Sequence, residues 1–260
     1  MSAHAEPLTG HGPVPAAHDG HGHDHGHDPH LAHHFEDMDQ QQETHSLGMW
    51  TFLATEIMFF GGLFLAFTVY HVQFPVAFMA ASSELNPIYG GINTFFLILS
   101  SLTMAMAVHA AQTGNRKRIS QMLLFTILLA FCFCGVKSVE WIEKYNHHLI
   151  PGTRFDFFHS FTTPEQLAHK ATILKADPFA AQHSQIFFLL YFIMTGLHGI
   201  HVVIGIGLLG WIWLRSLRNE FGKTWNTPVE LIGLYWHLVD LIWIYLFPII
   251  YLIHRNGAGH

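Results

Sequence analysis

Five long apolar stretches constrain this chain more than any other feature of its sequence. They occupy residues 47–70, 91–111, 119–145, 186–214 and 231–253. Each exceeds the roughly 20 residues that a helix, rising about 1.5 Å per residue, needs to cross a hydrocarbon layer about 30 Å thick. A single strand would leave its backbone groups unpaired in lipid. The predicted fold class is therefore all-α, a polytopic membrane helix bundle with five transmembrane helices.

Composition excludes several other classes of protein. Half of the 260 residues are apolar and only 12% are charged, about half the usual charged share, which rules out a water-soluble globule. A net charge of -6 with 12 Lys and Arg residues leaves no broad basic surface, so nucleic acid is not predicted as a partner. Cys132 and Cys134 lie two apart in one apolar stretch, so no disulfide framework is expected.

The N-terminal segment, residues 1–46, is polar and carries eleven of the 23 histidines but no Lys or Arg. Because it has little apolar surface to bury, it is predicted to be a disordered tail. The imidazole groups of its alternating His-Asp and His-Gly pairs can bind Ni, Zn or Cu. A solvated tail without a metal is the favoured interpretation.

The Lys and Arg residues of two short loops determine the predicted orientation of the chain in the membrane. They are Arg116, Lys117 and Arg118 after the second stretch, and Arg215, Arg218 and Lys223 after the fourth. Cytoplasmic loops carry an excess of Lys and Arg, so both loops and the N-terminal tail are expected in the cytoplasm. The loop at 146–185 and the short tail at 254–260 then lie on the outer side. Within that loop, Thr163 and Pro164 predict the start of a short helix.

Glu56 lies near the middle of the first stretch, where an ionisable group is costly unless it is paired or protonated. One interpretation is a proton-linked or lipid-linked site. The other is a protonated carboxyl group that hydrogen-bonds to a neighbouring helix. Gly61 and Gly62 are predicted to allow another helix to approach closely beside it.

In two further pairs of polar residues, the members lie three positions apart. The pairs are His198 with His201 and His237 with Asp240. A metal or a histidine-carboxylate hydrogen bond uses this spacing. A haem and copper centre would need more membrane histidines than the stretches provide, so hydrogen bonding between helices is the favoured interpretation. The chain is predicted to hold no catalytic residue, metal or redox cofactor of its own.

The third and fifth stretches carry the remaining charged candidates. Lys137 and Glu140 are an i, i+3 pair that can neutralise itself, and a structural ion pair is the favoured interpretation. Glu230 precedes the fifth stretch at its cytoplasmic end. The candidate proton-linked or lipid-linked residues are therefore Glu56, Glu140, His198, His201, Glu230, His237 and Asp240.

Five sequence blocks, taken together, resemble the signature blocks of subunit III of haem-copper oxidases, in that family's order. They are Gly48-Met49-Trp50-Thr51-Phe52-Leu53-Ala54-Thr55-Glu56-Ile57-Met58-Phe59-Phe60-Gly61-Gly62, Gly114-Asn115-Arg116-Lys117-Arg118, Val139-Glu140, Gly196-Leu197-His198-Gly199-Ile200-His201-Val202-Val203-Ile204-Gly205 and Tyr235-Trp236-His237-Leu238-Val239-Asp240-Leu241-Ile242-Trp243. They extend over about residues 47–253. Any one block alone would be a weak signal.

The resemblance implies an accessory subunit of a proton-pumping terminal respiratory oxidase in a bacterial inner membrane. Haem and copper would lie in the partner subunits I and II. The subunit would stabilise subunit I, support proton uptake and bind phospholipid. Glu56 matches the family's mid-membrane carboxylate, and the other candidates match its recurring polar positions. Cytochrome c, or a respiratory supercomplex, is a further expected partner.

The sequence resembles the five-helix form of the family, without the two helices that precede the Glu-bearing helix in the seven-helix form. We expect extra helices of subunit I to replace them, and we expect the long outer loop to contact subunit II or cytochrome c. Thr55-Glu56 favours cytochrome c as the electron donor. A quinol oxidase or nitric oxide reductase subunit is the first alternative. A proton-coupled or metal transporter is the more distant one, although the chain shows no internal repeat.

Overall fold

The computed structural model describes residues 38–152, 155–159, 161–218 and 226–252, and these contain seven helices. They are α1 Met38–Gln73, α2 Pro75–Ser83, α3 Pro87–Thr113, α4 Arg116–Asn146, α5 Pro164–Ala176, α6 Ala180–Leu217 and α7 Thr227–Tyr251. Five of them, α1, α3, α4, α6 and α7, are long and apolar enough to cross a membrane. The predicted all-α class with five transmembrane helices is thereby confirmed.

The chain divides into two units, residues 1–41 and residues 42–260. The described part of the first unit is its last four residues, which form the start of α1. Most of the predicted tail, and the C-terminal residues 253–260, lie outside the described residues.

Several helices begin earlier than the apolar stretches indicated. The first begins at Met38 instead of residue 47, so residues 38–46 are helical instead of part of a disordered tail. Polar helix-forming residues such as Gln40, Gln41 and Gln42 extend a helix without contributing to a hydropathy signal. The fourth spanning helix likewise begins at Ala180, six residues before its predicted start, and shortens the preceding loop.

The segment between the first two spanning helices contains the short helix α2. Pro75 occupies the first turn, where its missing N–H costs nothing. The side chains of Ala77, Phe78 and Ala81 are fully buried. The helix packs against α6, and it closes one end of the bundle, which we call the α2 end. The opposite end, where α3 turns into α4, we call the turn end.

Four helices form the body of the bundle, with α3 packed on α4 and α7, and α6 packed on α4 and α7. At the turn end, Gly114 adopts φ 76° and ends α3, and Asn115 caps α4 through a hydrogen bond from the Arg118 N–H to its side chain. That left-handed backbone conformation is unfavourable for residues that carry a Cβ atom, so glycine suits this position. A connection this short makes α3 and α4 antiparallel neighbours.

Tryptophans of α7 hydrogen-bond to hydroxyl groups of α3. The indole N–H of Trp236 donates to Ser100 Oγ at 3.1 Å, and that of Trp243 donates to Thr94 Oγ1 at 3.1 Å. Both indoles are fully buried. In lipid, such bonds and close packing hold helices together, because apolar burial alone gives little preference over the lipid chains.

Gly205 of α6 packs against the Trp236 side chain of α7, and its replacement by alanine is expected to destabilise the bundle by about 1–3 kcal/mol through overpacking. An added Cβ would lie 2.7 Å from the buried Trp236 ring. Gly207→Ala, on the open side of the same helix, has nothing within 4 Å of its Cβ and serves as the control. Detergent-titrated unfolding should separate the two variants, and equal stabilities would contradict the packing argument.

Gly61 and Gly62 do not provide the close helix approach that was predicted. A Cβ at either position meets nothing within 4 Å. The first helix instead touches the bundle through a narrow stripe of larger side chains, Leu53, Phe60 and Phe67, which are buried. Most of its other large apolar side chains are exposed, as expected for a helix that faces lipid.

Candidate functional site

The predicted mid-membrane carboxylate lies at the contact between α1 and α6. Glu56 Oε2 is 3.1 Å from His201 Nε2, and both side chains are about four-fifths buried. The angle of this contact falls short of a formed hydrogen bond. Phe60, one turn further along α1, meets the imidazole edge-on with ring centroids 5.5 Å apart. An aromatic wall therefore covers one side of the pair.

The second ring nitrogen of His201 contacts a backbone carbonyl group. Nδ1 lies 2.8 Å from the Leu197 carbonyl oxygen, one turn back on α6. A carbonyl oxygen can only accept, so Nδ1 carries a hydrogen and Nε2 faces Glu56. Either Nε2 accepts the proton of a neutral carboxyl group, or an imidazolium donates to a carboxylate. Glu56 and His201 can thus share one proton between two helices.

His198, one turn before His201, does not join this pair. It is 1% exposed, and its ring lies between Phe133 of α4 and Trp243 of α7, with centroids 5.7 and 5.2 Å away. Neither ring nitrogen has a hydrogen-bond partner among the described residues. The two imidazoles, although three residues apart, therefore serve different contacts.

His237 and Asp240 also fail to form a pair with each other. His237 Nδ1 and Ser101 Oγ of α3 are 2.8 Å apart, which is a hydrogen bond between helices. Asp240 is 2% exposed, and its carboxylate oxygens form no hydrogen bond of good geometry within the described chain, although the Ser101 hydroxyl group lies close to them. A buried carboxyl group with so little hydrogen bonding is costly in lipid.

The strongest polar cluster lies within the bundle near the α2 end and joins α4, α6 and α7. Lys137 Nζ donates to Glu140 Oε2 at 3.0 Å, to Tyr191 Oη at 3.1 Å and to Tyr251 Oη at 2.7 Å. Both tyrosine hydroxyls donate to Glu140 Oε1, at 3.0 and 2.6 Å. Glu140 and both tyrosines are fully buried. The predicted ion pair is present. All three N–H donors of Lys137 and both carboxylate oxygens of Glu140 take part in hydrogen bonds.

The two tyrosines are the part of this cluster that the sequence analysis missed. Tyr191 is 51 residues from Glu140, and Tyr251 is 111 residues from it. No spacing rule links residues so far apart. The only available signal was that a tyrosine inside an apolar helix needs a partner for its hydroxyl group.

Glu230 lies at the turn end and is partly buried. Its Oε1 accepts hydrogen bonds from Gln112 Nε2 at 2.9 Å and from Asn226 Nδ2 at 3.1 Å. These hydrogen bonds connect the start of α7 to the end of α3. It does not contact any of the other candidate residues.

At the α2 end, Glu84 connects α2 to α4. Its backbone carbonyl oxygen accepts a hydrogen bond from Lys144 Nζ at 2.6 Å. Burial raises the pKa of the Glu84 carboxyl group, and the nearby Lys144 cation partly opposes this shift.

The segment between α4 and α6 has its own local structure. Thr163 and Gln166 form a reciprocal capping box at the start of α5, as Thr163 and Pro164 predicted for that position. Further along, Asp177 Oδ2 contacts His183 Nδ1 at 2.6 Å, and the imidazole stacks on Phe74 with centroids 3.7 Å apart. These contacts join α6 to the hinge between α1 and α2.

Metal ligation is not supported by the clusters just described. Within the described ranges, no group of three or more His, Cys, Asp and Glu side chains is placed to hold a metal ion. Cys132 and Cys134 are both unbonded thiols. These clusters instead connect neighbouring helices through hydrogen bonds and ion pairs.

Comparison with known proteins gives consistent matches. The family model Cytochrome c oxidase subunit III matches residues 31–153 and 144–254. Cytochrome c oxidase subunit 3 of Loxodonta africana is 30% identical over 223 residues, which cover 81% of this chain and 70% of that protein. The Papio hamadryas protein of the same name is 31% identical over 218 residues, covering 81% and 70%. The Drosophila melanogaster one is 30% identical over 212 residues, covering 78% and 67%.

Proposed function

The chain belongs to the cytochrome c oxidase subunit III family, as its sequence blocks predicted, and from this premise we propose that it is a non-catalytic subunit of a proton-pumping terminal oxidase. In this role it stabilises subunit I and supports proton uptake. Haem and copper belong to subunits I and II, and cytochrome c is the electron donor. The complex lies in a bacterial inner membrane, with the N-terminus of this chain in the cytoplasm and its C-terminus outside.

The contact between Glu56 and His201 carries the proton-linked part of this proposal. It places two titratable groups together, four-fifths buried, between two membrane-spanning helices. Ionisable groups in such positions mark proton or ligand sites in membrane proteins. Because α1 meets the bundle only along a narrow stripe, the charge state of the pair can alter how firmly α1 is held.

The surface of the chain supports an accessory role. Large apolar side chains of α1, α3, α4 and α6 are exposed, as needed for contact with lipid and with the helices of subunit I. The structured segment around α5, with its capping box and aromatic packing, offers a surface for subunit II or cytochrome c. Phospholipid fills the remaining membrane-facing grooves.

Affinity purification of the full chain in mild detergent tests this function. We expect haem absorption bands and copurification of subunits I and II, because the family acts within an oxidase. The same fraction should oxidise reduced cytochrome c. A colourless chain that moves a solute or metal ion in liposomes would replace the proposal with the transporter alternative. Oxidation of quinol instead of cytochrome c would change the donor and keep the accessory role.

A further inference from the structure

Two histidine side chains meet in the segment between α4 and α6. The imidazole rings of His148 and His159 have centroids 4.7 Å apart, with their planes at 89°. Both residues are exposed. Neither imidazole forms an ion pair with another described residue. The pair thus brings two metal-binding side chains together at the surface, away from the polar clusters within the bundle.

The backbone fixes His148 at the end of α4. The N–H groups of His148 and Leu149 donate to the carbonyl oxygens of Tyr145 and Lys144, at 3.2 and 3.1 Å. This pattern ends a helix with one residue in the left-handed conformation. His148 is that residue, with φ 57°, and it is the only residue other than glycine with a positive φ in the described chain. Glycine is the usual residue at such a position, so the turn itself does not require an imidazole.

The same turn places His159 beside His148. The Asp156 N–H donates to the His148 carbonyl oxygen at 3.1 Å, and the His159 N–H donates to the Asp156 carbonyl oxygen at 3.3 Å. Leu149 and Phe157 are each 1% exposed and belong to the hydrophobic core. Backbone hydrogen bonds and two buried side chains therefore hold the imidazoles near each other, which lowers the entropy cost of binding one ion with both.

We propose that His148 and His159 bind one monovalent copper ion, Cu(I), between their ring nitrogens. Imidazole is a good ligand for copper. A monovalent ion with a filled d shell accepts two nitrogen ligands in a line, whereas Zn²⁺ takes a tetrahedral set of four. Within the described residues, no group of three or more His, Cys, Asp and Glu side chains is placed to hold a metal ion. A site with two imidazoles and no third ligand favours Cu(I) over Zn²⁺.

The site forms by rotation of the two rings. A linear ion between two imidazoles needs ring nitrogens about 4 Å apart, twice a typical metal–nitrogen distance. The rings now meet edge to face, so their nitrogens must turn towards each other and the centroids must separate slightly. Both side chains are exposed, and packing does not prevent these rotations.

The test uses the full chain purified in mild detergent with the subunits that accompany it, and silver(I) as the probe. Ag(I) has the charge and the linear preference of Cu(I), is not oxidised by air, and is distinct from any copper already present. Elemental mass spectrometry counts bound silver after dialysis without chloride. Silver held by thiols or by the N-terminal histidines is the same in every variant. We expect the wild type to bind one equivalent more than His148→Gln, His159→Gln or the double variant.

Two further variants separate metal binding from folding and from nearby histidines. His148→Gly should lose the same silver equivalent and unfold no earlier than the wild type in a detergent titration, because glycine suits the left-handed backbone. His147→Gln removes the adjacent exposed histidine, and it should retain the silver.

Three results would overturn the proposal. They are unchanged silver in His148→Gln and His159→Gln, an equal loss in His147→Gln, and one equivalent of Zn²⁺ that the wild type binds at the same free concentration and both Gln variants lose. Haem is scored on the same samples. Its absence from the wild type would refute the proposed function without changing the silver count, because the two histidines belong to this chain.

Discussion

Replacement of Glu140 by glutamine is expected to cost about 3–5 kcal/mol of stability, since it leaves the Lys137 ammonium group uncompensated within the bundle. Lys137 is 8% exposed and Glu140 is fully buried. The two tyrosine hydroxyls would still accept hydrogen bonds from the ammonium group, but they carry no charge. Detergent-titrated unfolding, followed by tryptophan fluorescence, measures the loss.

The double variant Lys137→Met with Glu140→Gln is the decisive comparison. Removal of both charges leaves a neutral, similarly sized pair, so stability should return to within about 1–2 kcal/mol of the wild type. Glu143→Gln, one turn from the pair, removes a carboxylate that is 40% exposed and 4.0 Å from Lys144. It should change stability by less than about 1 kcal/mol. A double variant as unstable as Glu140→Gln would show that the cluster does not act as an ion pair.

Glu56→Gln is expected to slow proton uptake by the oxidase complex about fivefold or more, the effect of raising the barrier by about 1 kcal/mol. The substitution keeps the size of the side chain but removes the group that can share a proton with His201. Haem content should stay the same, because the proposed function places the redox centres in subunits I and II. Time-resolved proton uptake across a range of pH is the measurement.

His201→Gln should produce the same defect, and the double variant should be no worse than either single variant. Such non-additivity is the mark of two groups that act as one unit. Glu143→Gln serves again as the control, because it removes a carboxylate from the same chain far from the pair. Additive defects, or a pH profile unchanged in all variants, would assign Glu56 and His201 a purely structural role.

Local signals in the sequence were sufficient to predict the five spanning helices and the start of α5, because each depends only on residues near it in the chain, whereas α2 was not predicted. Apolar runs longer than a membrane is thick predicted all five spanning helices. Thr163 and Pro164 predicted the start of α5 for the same local reason. The i, i+3 spacing predicted the ion pair of Lys137 with Glu140, which lie on one face of one helix.

The sequence by itself thus determined the membrane class, the five spanning helices and the family to which the chain belongs. Only the tertiary structure decided which polar residues meet. His201 faces Glu56 whereas His198 lies between Phe133 and Trp243, although three residues separate them. The physical reason is that hydrogen bonds between helices depend on rotation and crossing angle, which packing sets and local sequence does not encode.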